Sequence, residues 1–130
     1  MEKDTRVQYW LQSAEDDWKV AGHLFEKGDY PYSLFFAHLT IEKLLKAIYA
    51  DRLNSTPPYT HRLVQIAEKI PLDVPDDQWE LLEIVTDFNL EARYPDEKFS
   101  FRNKCTRSFT EGNLRKIEEF RSWLLKQIHK

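Results

Sequence analysis

The stretch 31–49, PYSLFFAHLTIEKLLKAIY, constrains the fold most, because it has helical spacing yet is apolar on nearly every side. Leu34, Phe35, Phe36, Leu39, Ile41, Leu44, Leu45 and Ile48 leave no broad face for water. A helix of that kind sits at the centre of a helical protein and is covered on most sides. Polar residues interrupt it in register. His38, Glu42 and Lys46 recur at i, i+4 and i+8 and so form one line along the helix, with Lys43 beside it. A charge on a covered helix is costly unless paired, so this line either borders a groove or meets partners across an interface.

The rest of the chain supplies the cover. Helical spacing over 5–27 places Val7, Trp10, Leu11, Ala14, Trp18, Ala21 and Phe25 on one face, and Gly28-Asp29 ends that helix. Pro31 opens the central helix, which runs to about 53, where the Ser-Thr-Pro-Pro segment 55–58 breaks the chain. A short helix is expected over 61–70, stopped by Pro71. Asp77 to Glu80 has capping-box spacing and should start a fourth helix ending near 88–90; Ser108 to Glu111 has the same spacing and should start the last. That last helix carries Leu114, Ile117, Phe120, Leu124 and Ile128 on one face. The result is an all-α, up-and-down four-helix bundle with an additional short helix, one domain over 1–130. The connection 89–107 is long for such a bundle, and long loops carry function disproportionately.

Composition excludes several classes. Three glycines and no alternating β-branched runs leave little material for a sheet. A formal charge of −3 provides no global attraction for nucleic acid, so any polyanion site must be local. The single Cys105 excludes an internal disulfide or a cysteine zinc site and fits a cytoplasmic location. The start MEKDTRVQYW has no apolar leader, and no run is long enough to span a membrane. Walker and Rossmann glycine patterns are missing, and the four histidines show no metal-ligand spacing, so neither a cofactor nor a metal is expected.

Three groups of residues, in order, resemble a known family. They are Ala14-Glu15-Asp16-Asp17-Trp18 followed by Gly28-Asp29-Tyr30; Phe36-Ala37-His38 with 41–47, IEKLLKA, and then His61-Arg62-Leu63; and Ala92-Arg93-Tyr94-Pro95-Asp96. This combination resembles the HEPN domain, the nucleotide-associated helical domain of higher eukaryotes and prokaryotes. The resemblance implies a helical bundle that dimerises, often encoded beside a minimal nucleotidyltransferase. Some members are metal-independent ribonucleases of toxin–antitoxin pairs, marked by Arg, four to six intervening residues, then His. Here Arg93 is followed by no histidine until His129, and Arg52 to His61 and Arg121 to His129 are too widely spaced. No catalytic residue is therefore assigned.

The candidates for binding are local. Over 93–107 five basic residues, Arg93, Lys98, Arg102, Lys104 and Arg107, face Asp96 and Glu97, a local charge of +3, with Tyr94, Phe99 and Phe101 interleaved. Guanidinium groups bind phosphate and rings stack on bases, so Arg93, Tyr94 and Arg102 suit a nucleotide or single-stranded RNA. The competing reading is a solvated loop whose rings plug the bundle end. The line His38, Glu42, Lys46, with Lys43, likewise has two readings: the lining of a phosphate groove with Glu42 orienting Lys46 or Arg93, or an ordinary i, i+4 pair. His61 begins a helix or joins the site. Glu15, Asp16 and Asp17 are read as a solvated face, and the four tryptophans as core or interface anchors. The reading is a non-catalytic nucleotide- or RNA-associated module, a homodimer, with a separate nucleotidyltransferase as a candidate partner. A ribonuclease using Arg93 with His38 or His61 is the alternative; a purely structural dimerisation protein is a third.

Overall fold

In the computed structural model, which describes residues 2–128, six helices follow one another: α1 (Lys3–Glu26), α2 (Tyr30–Leu53), α3 (Leu63–Glu68), α4 (Asp76–Arg93), α5 (Ser100–Lys104) and α6 (Arg107–Ile128). No strand occurs among the described residues, so the all-α bundle expected from the sequence is what forms. α2 is its axis and touches each of the other five helices. Leu34, Ile41, Leu44, Leu45 and Ile48 of α2 are buried against Leu63 and Ile66 of α3, Leu82 and Val85 of α4, and Ile117, Phe120 and Leu124 of α6. Each such side chain contributes about 1.5–3 kcal/mol by leaving water, which is why a helix apolar on nearly every side is stable here.

Helix ends follow local chemistry. Gly28 takes φ +82°, and Asp29 and Gly28 donate their N–H groups to the Leu24 and Phe25 carbonyls at 2.8 and 3.1 Å. That left-handed ending reverses the chain so that α2 returns along α1. Charge pairs then tie α1 to its neighbours. Glu15 reaches Arg121 of α6 at 2.7 Å and Asp17 reaches Lys43 of α2 at 2.6 Å, so two of the three clustered acids are cross-helix links and not merely a solvated face.

Several boundaries differ from the expectation. α3 starts at Leu63, not at 61, because Arg62 is extended and the Leu63 N–H is taken by Thr86 Oγ1 at 3.2 Å. His61 is thereby left outside the helix. α4 begins after Pro75 with no side-chain cap, its first-turn Asp76 and Asp77 favouring the positive end of the helix, so the spacing at Asp77 is not a capping box. It also runs past 90 to Arg93, ending where Pro95 forces Tyr94 out of helical geometry. Nor is Ser108 a cap: Thr106 Oγ1 accepts the Phe109 N–H at 3.1 Å, and α6 begins one residue before Ser108. The segment 94–99 leads into α5, a helix not anticipated. Asp96 Oδ1 accepts the Ser100 N–H at 2.8 Å, which holds that carboxyl below the usual range, and buried Phe101 meets Phe88 at 5.6 Å between centroids. No helix among the described residues is long and apolar enough to cross a membrane.

Candidate functional site

The polar line of α2 is buried, and it is paired. Glu42 and Lys46 are 4 and 6 % exposed, and Lys46 Nζ donates to Glu42 Oε2 at 3.0 Å while lying 5.3 Å over the Trp10 ring. The other carboxylate oxygen, Oε1, accepts from His61 Nδ1 at 2.8 Å. This bond exists because α3 starts two residues late, which leaves His61 on an extended segment free to turn back onto α2. The Nδ1–H is thus committed to Glu42, and the ring, whose side chain is about half exposed at 52 %, presents Nε2 away from that bond.

His38 forms the second half of the row. Its Nε2 lies 3.0 Å from the His61 carbonyl and its Nδ1 lies 3.3 Å from Asn89 Nδ2. A carbonyl needs a donor and an amide NH2 needs an acceptor, so His38 is the neutral tautomer with its proton on Nε2. Its environment agrees. Burial, foremost, holds His38 below the ordinary value of 6.5, with the charges of His61 and Arg93 adding to the effect and the His61 carbonyl and Glu42 opposing it. Asn89 then offers Oδ1 to Arg93 Nη2, and its backbone carbonyl accepts from Arg93 Nε at 3.2 Å. Arg93 is held one turn from Asn89 with its guanidinium over Phe35 at 5.5 Å and Tyr94 at 5.1 Å. The row is continuous: Lys46, Glu42, His61, His38, Asn89, Arg93.

Of the residues singled out in the sequence, His38, Glu42, Lys46, His61, Arg93 and Tyr94 are brought together in this way. Lys43 is not, since it points to Asp17 of α1. Arg102 is not bonded into the row; it lies 5.7 Å over Phe99 and lines a separate cleft of ≈ 490 Å³ with Tyr30, Tyr32 and Glu91. Lys104 and Arg107 are likewise laid over Phe109 and Phe25, so the basic segment is spread over the bundle end and does not act as one patch. Arg52 gives its guanidinium to the Pro71 and Gln127 carbonyls at 2.9 and 3.1 Å, a structural use that takes it out of any pairing with His61. His129 lies outside the described residues.

Asn89 is the member that sequence reasoning missed. It is 5 % exposed on the face of α4 that carries Val85, Phe88 and Ala92. An asparagine on a buried helical face must bond something, and with Arg93 four residues on that partner could have been named. Chemically, the row presents a fixed guanidinium between two rings and an imidazole oriented by a carboxylate. The first suits a phosphate, the second a hydroxyl or a phosphate oxygen.

The comparisons agree with this architecture. No curated protein matches the sequence. Among solved structures, the crystal structure of TT1696 from Thermus thermophilus superposes with a TM-score of 0.78 at 20% identity, covering 93% of this chain and 97% of that one, which establishes a shared fold. The family model described as the HEPN domain matches residues 7–128, and the chain therefore belongs to the HEPN domain family.

Proposed function

We propose that the chain binds the phosphate of a nucleotide or of RNA at the surface formed by Arg93 and His61, and does not cleave it. The observation that carries this reading is the exposed Arg93 guanidinium, fixed by Asn89 and flanked by Phe35 and Tyr94. A pre-oriented guanidinium loses little freedom on binding a phosphate, and the neighbouring rings offer a face to a base. The absence of cleavage follows from proton counting. Metal-free phosphodiester cleavage needs an acceptor at the 2′-oxygen and a donor at the leaving oxygen. His38 has both nitrogens occupied and Arg93 stays charged, which leaves His61 for two tasks. Arg93→Ala should weaken binding of single-stranded RNA roughly tenfold or more, measured by anisotropy at low salt. Unchanged affinity in that variant would refute the reading.

A ribonuclease of the toxin type is the second reading, favoured by the Glu42–His61 pair, which resembles an oriented general base. Cleavage of RNA in EDTA that disappears in both Arg93→Ala and His61→Ala would establish it in place of the first. A homodimer and a separate nucleotidyltransferase partner belong to the proposal as well. The first is supported by exposed apolar side chains, among them Tyr9, Tyr32, Leu90 and Phe99, and both accord with the family resemblance. A cytoplasmic location is supported by the lone thiol, Cys105.

A further inference from the structure

We infer that the site continues beyond His61 into a second subsite, a cleft between the start of α1 and the α2–α3 connection, so that the ligand is a single-stranded oligonucleotide and not a mononucleotide. This rests on the phosphate-binding reading above and specifies its ligand. The cleft has a volume of ≈ 390 Å³ and is lined by Arg6, Tyr9, Trp10, Thr56 and Pro57. Its cation, half-buried Arg6, keeps one guanidinium donor, Nε, without a hydrogen-bond partner among the described residues. A permanently charged guanidinium with an unpaired donor at the wall of a cleft favours an anion there, and a phosphate supplies both acceptor and charge to its face. Rings are available as well: Tyr9 of the lining is 56% exposed, and Tyr59, outside the lining and beside His61, is 99% exposed; exposed rings near cations are the elements that hold single strands.

The cleft is linked to the first site by a chain of contacts. Trp10 lies under Lys46, Lys46 bonds Glu42, Glu42 bonds His61, and Tyr59 approaches the His61 ring at 6.3 Å between centroids. Along α2 the two ends are marked by Phe35, which meets Arg93, and Lys46, which meets Trp10. Eleven helical steps separate them, about 17 Å. A single nucleotide cannot touch both ends, whereas a strand of about three to five nucleotides can. A different cleft is unsuited to a polyanion. The cleft between α3 and α4 carries Glu68, Glu83 and Asp87 against a single Arg62.

The test is binding of labelled oligouridylates of increasing length, from UMP to the octamer, to the full chain and to Arg6→Gln, Tyr59→Ala and Arg93→Ala. Affinity should rise at least tenfold from UMP to the pentamer and then level off. Arg6→Gln and Tyr59→Ala should each weaken the octamer roughly tenfold while leaving UMP unchanged, and Arg6→Gln should reduce the slope of log affinity against log salt by about 0.7. Tyr59 is exposed and buries no core surface, so its substitution reports on binding even if Arg6→Gln disturbs the fold. Equal affinity for UMP and octamer, or octamer binding unaffected by either substitution, would overturn the second subsite. In that case loss of both ligands in Arg93→Ala would still support the first. A wild-type chain that binds neither ligand would overturn both.

Discussion

Glu42 serves Lys46 with one carboxylate oxygen and His61 with the other, so its removal leaves a buried ammonium without a partner. Glu42→Ala should cost about 3–5 kcal/mol in urea denaturation. Arg93→Ala leaves only the Asn89 acceptors unpaired beside solvent and should cost less, about 1 kcal/mol, which separates stability from binding at the two ends of the row. His38 sets a pH dependence. Its folded value lies below the 6.5 of the free side chain, so as pH falls through 6.5 the unfolded chain takes up a proton that the folded one refuses. Stability from this group is therefore full above that pH and declines below it, by at most about 1.4 kcal/mol per pH unit. Thermal melts at a series of pH values should show the decline, and His38→Gln should flatten it; a wild-type melting temperature constant from neutral to mildly acid pH would contradict the buried neutral ring. Cys105 gives a companion measurement. Burial, with the Glu91 charge adding to it, pushes the thiol up to about 11, so it should react with thiol reagents at mildly alkaline pH only as fast as the chain unfolds.

At the scale of the elements, the helix ends distinguish what spacing can say from what it cannot. Thr106→Ala should destabilise α6 by about 1 kcal/mol, while Ser108→Ala, one residue inside the helix, should cost little; equal losses in both variants would contradict the assigned cap. Both caps fit the sequence, because Thr106 and Ser108 are each polar residues close before an apolar periodic run. Choosing between them depends on where α5 delivers the chain, and α5 is held by Phe101 packing on Phe88, a contact that no local pattern encodes. The long elements were legible for the opposite reason. Gly28 can take φ +82° without strain, Pro31 fits a first helical turn, and the apolar residues of α2 could be hidden only at the centre of a bundle. The late start of α3 was not legible, since it follows from the Leu63 N–H bonding Thr86 across the fold. That displacement of two residues puts His61 onto Glu42, so an error at a helix boundary hid the central contact of the site.

For the molecule as a whole, the sequence supplied the two ends of the polar row but not the bridge between them. The line His38, Glu42, Lys46 follows from the i+4 period, and Arg93 stood out in a basic segment. Their connection runs through Asn89 and the His61 carbonyl, which come together only when α2, α4 and the α2–α3 connection pack. The Arg6 cleft was hidden similarly, because it joins the start of α1 to residues 56–57, far apart in the chain. Exposed Tyr32, Leu90 and Phe99 lead to the expectation that sedimentation equilibrium at micromolar concentration gives twice the 15.6 kDa chain mass; a monomer throughout would remove the dimer from the account. On the proposed reading, the Arg93–His61 surface holds RNA without cutting it. This is tested most directly by one electrophoretic measurement on end-labelled single-stranded RNA mixed with the protein in EDTA, reading retardation and strand length from the same sample. The expected result is RNA that is retarded by the wild type, released by Arg93→Ala and recovered at full length; RNA that is not retarded, or is recovered as shortened fragments, would rule out binding without cleavage at this surface.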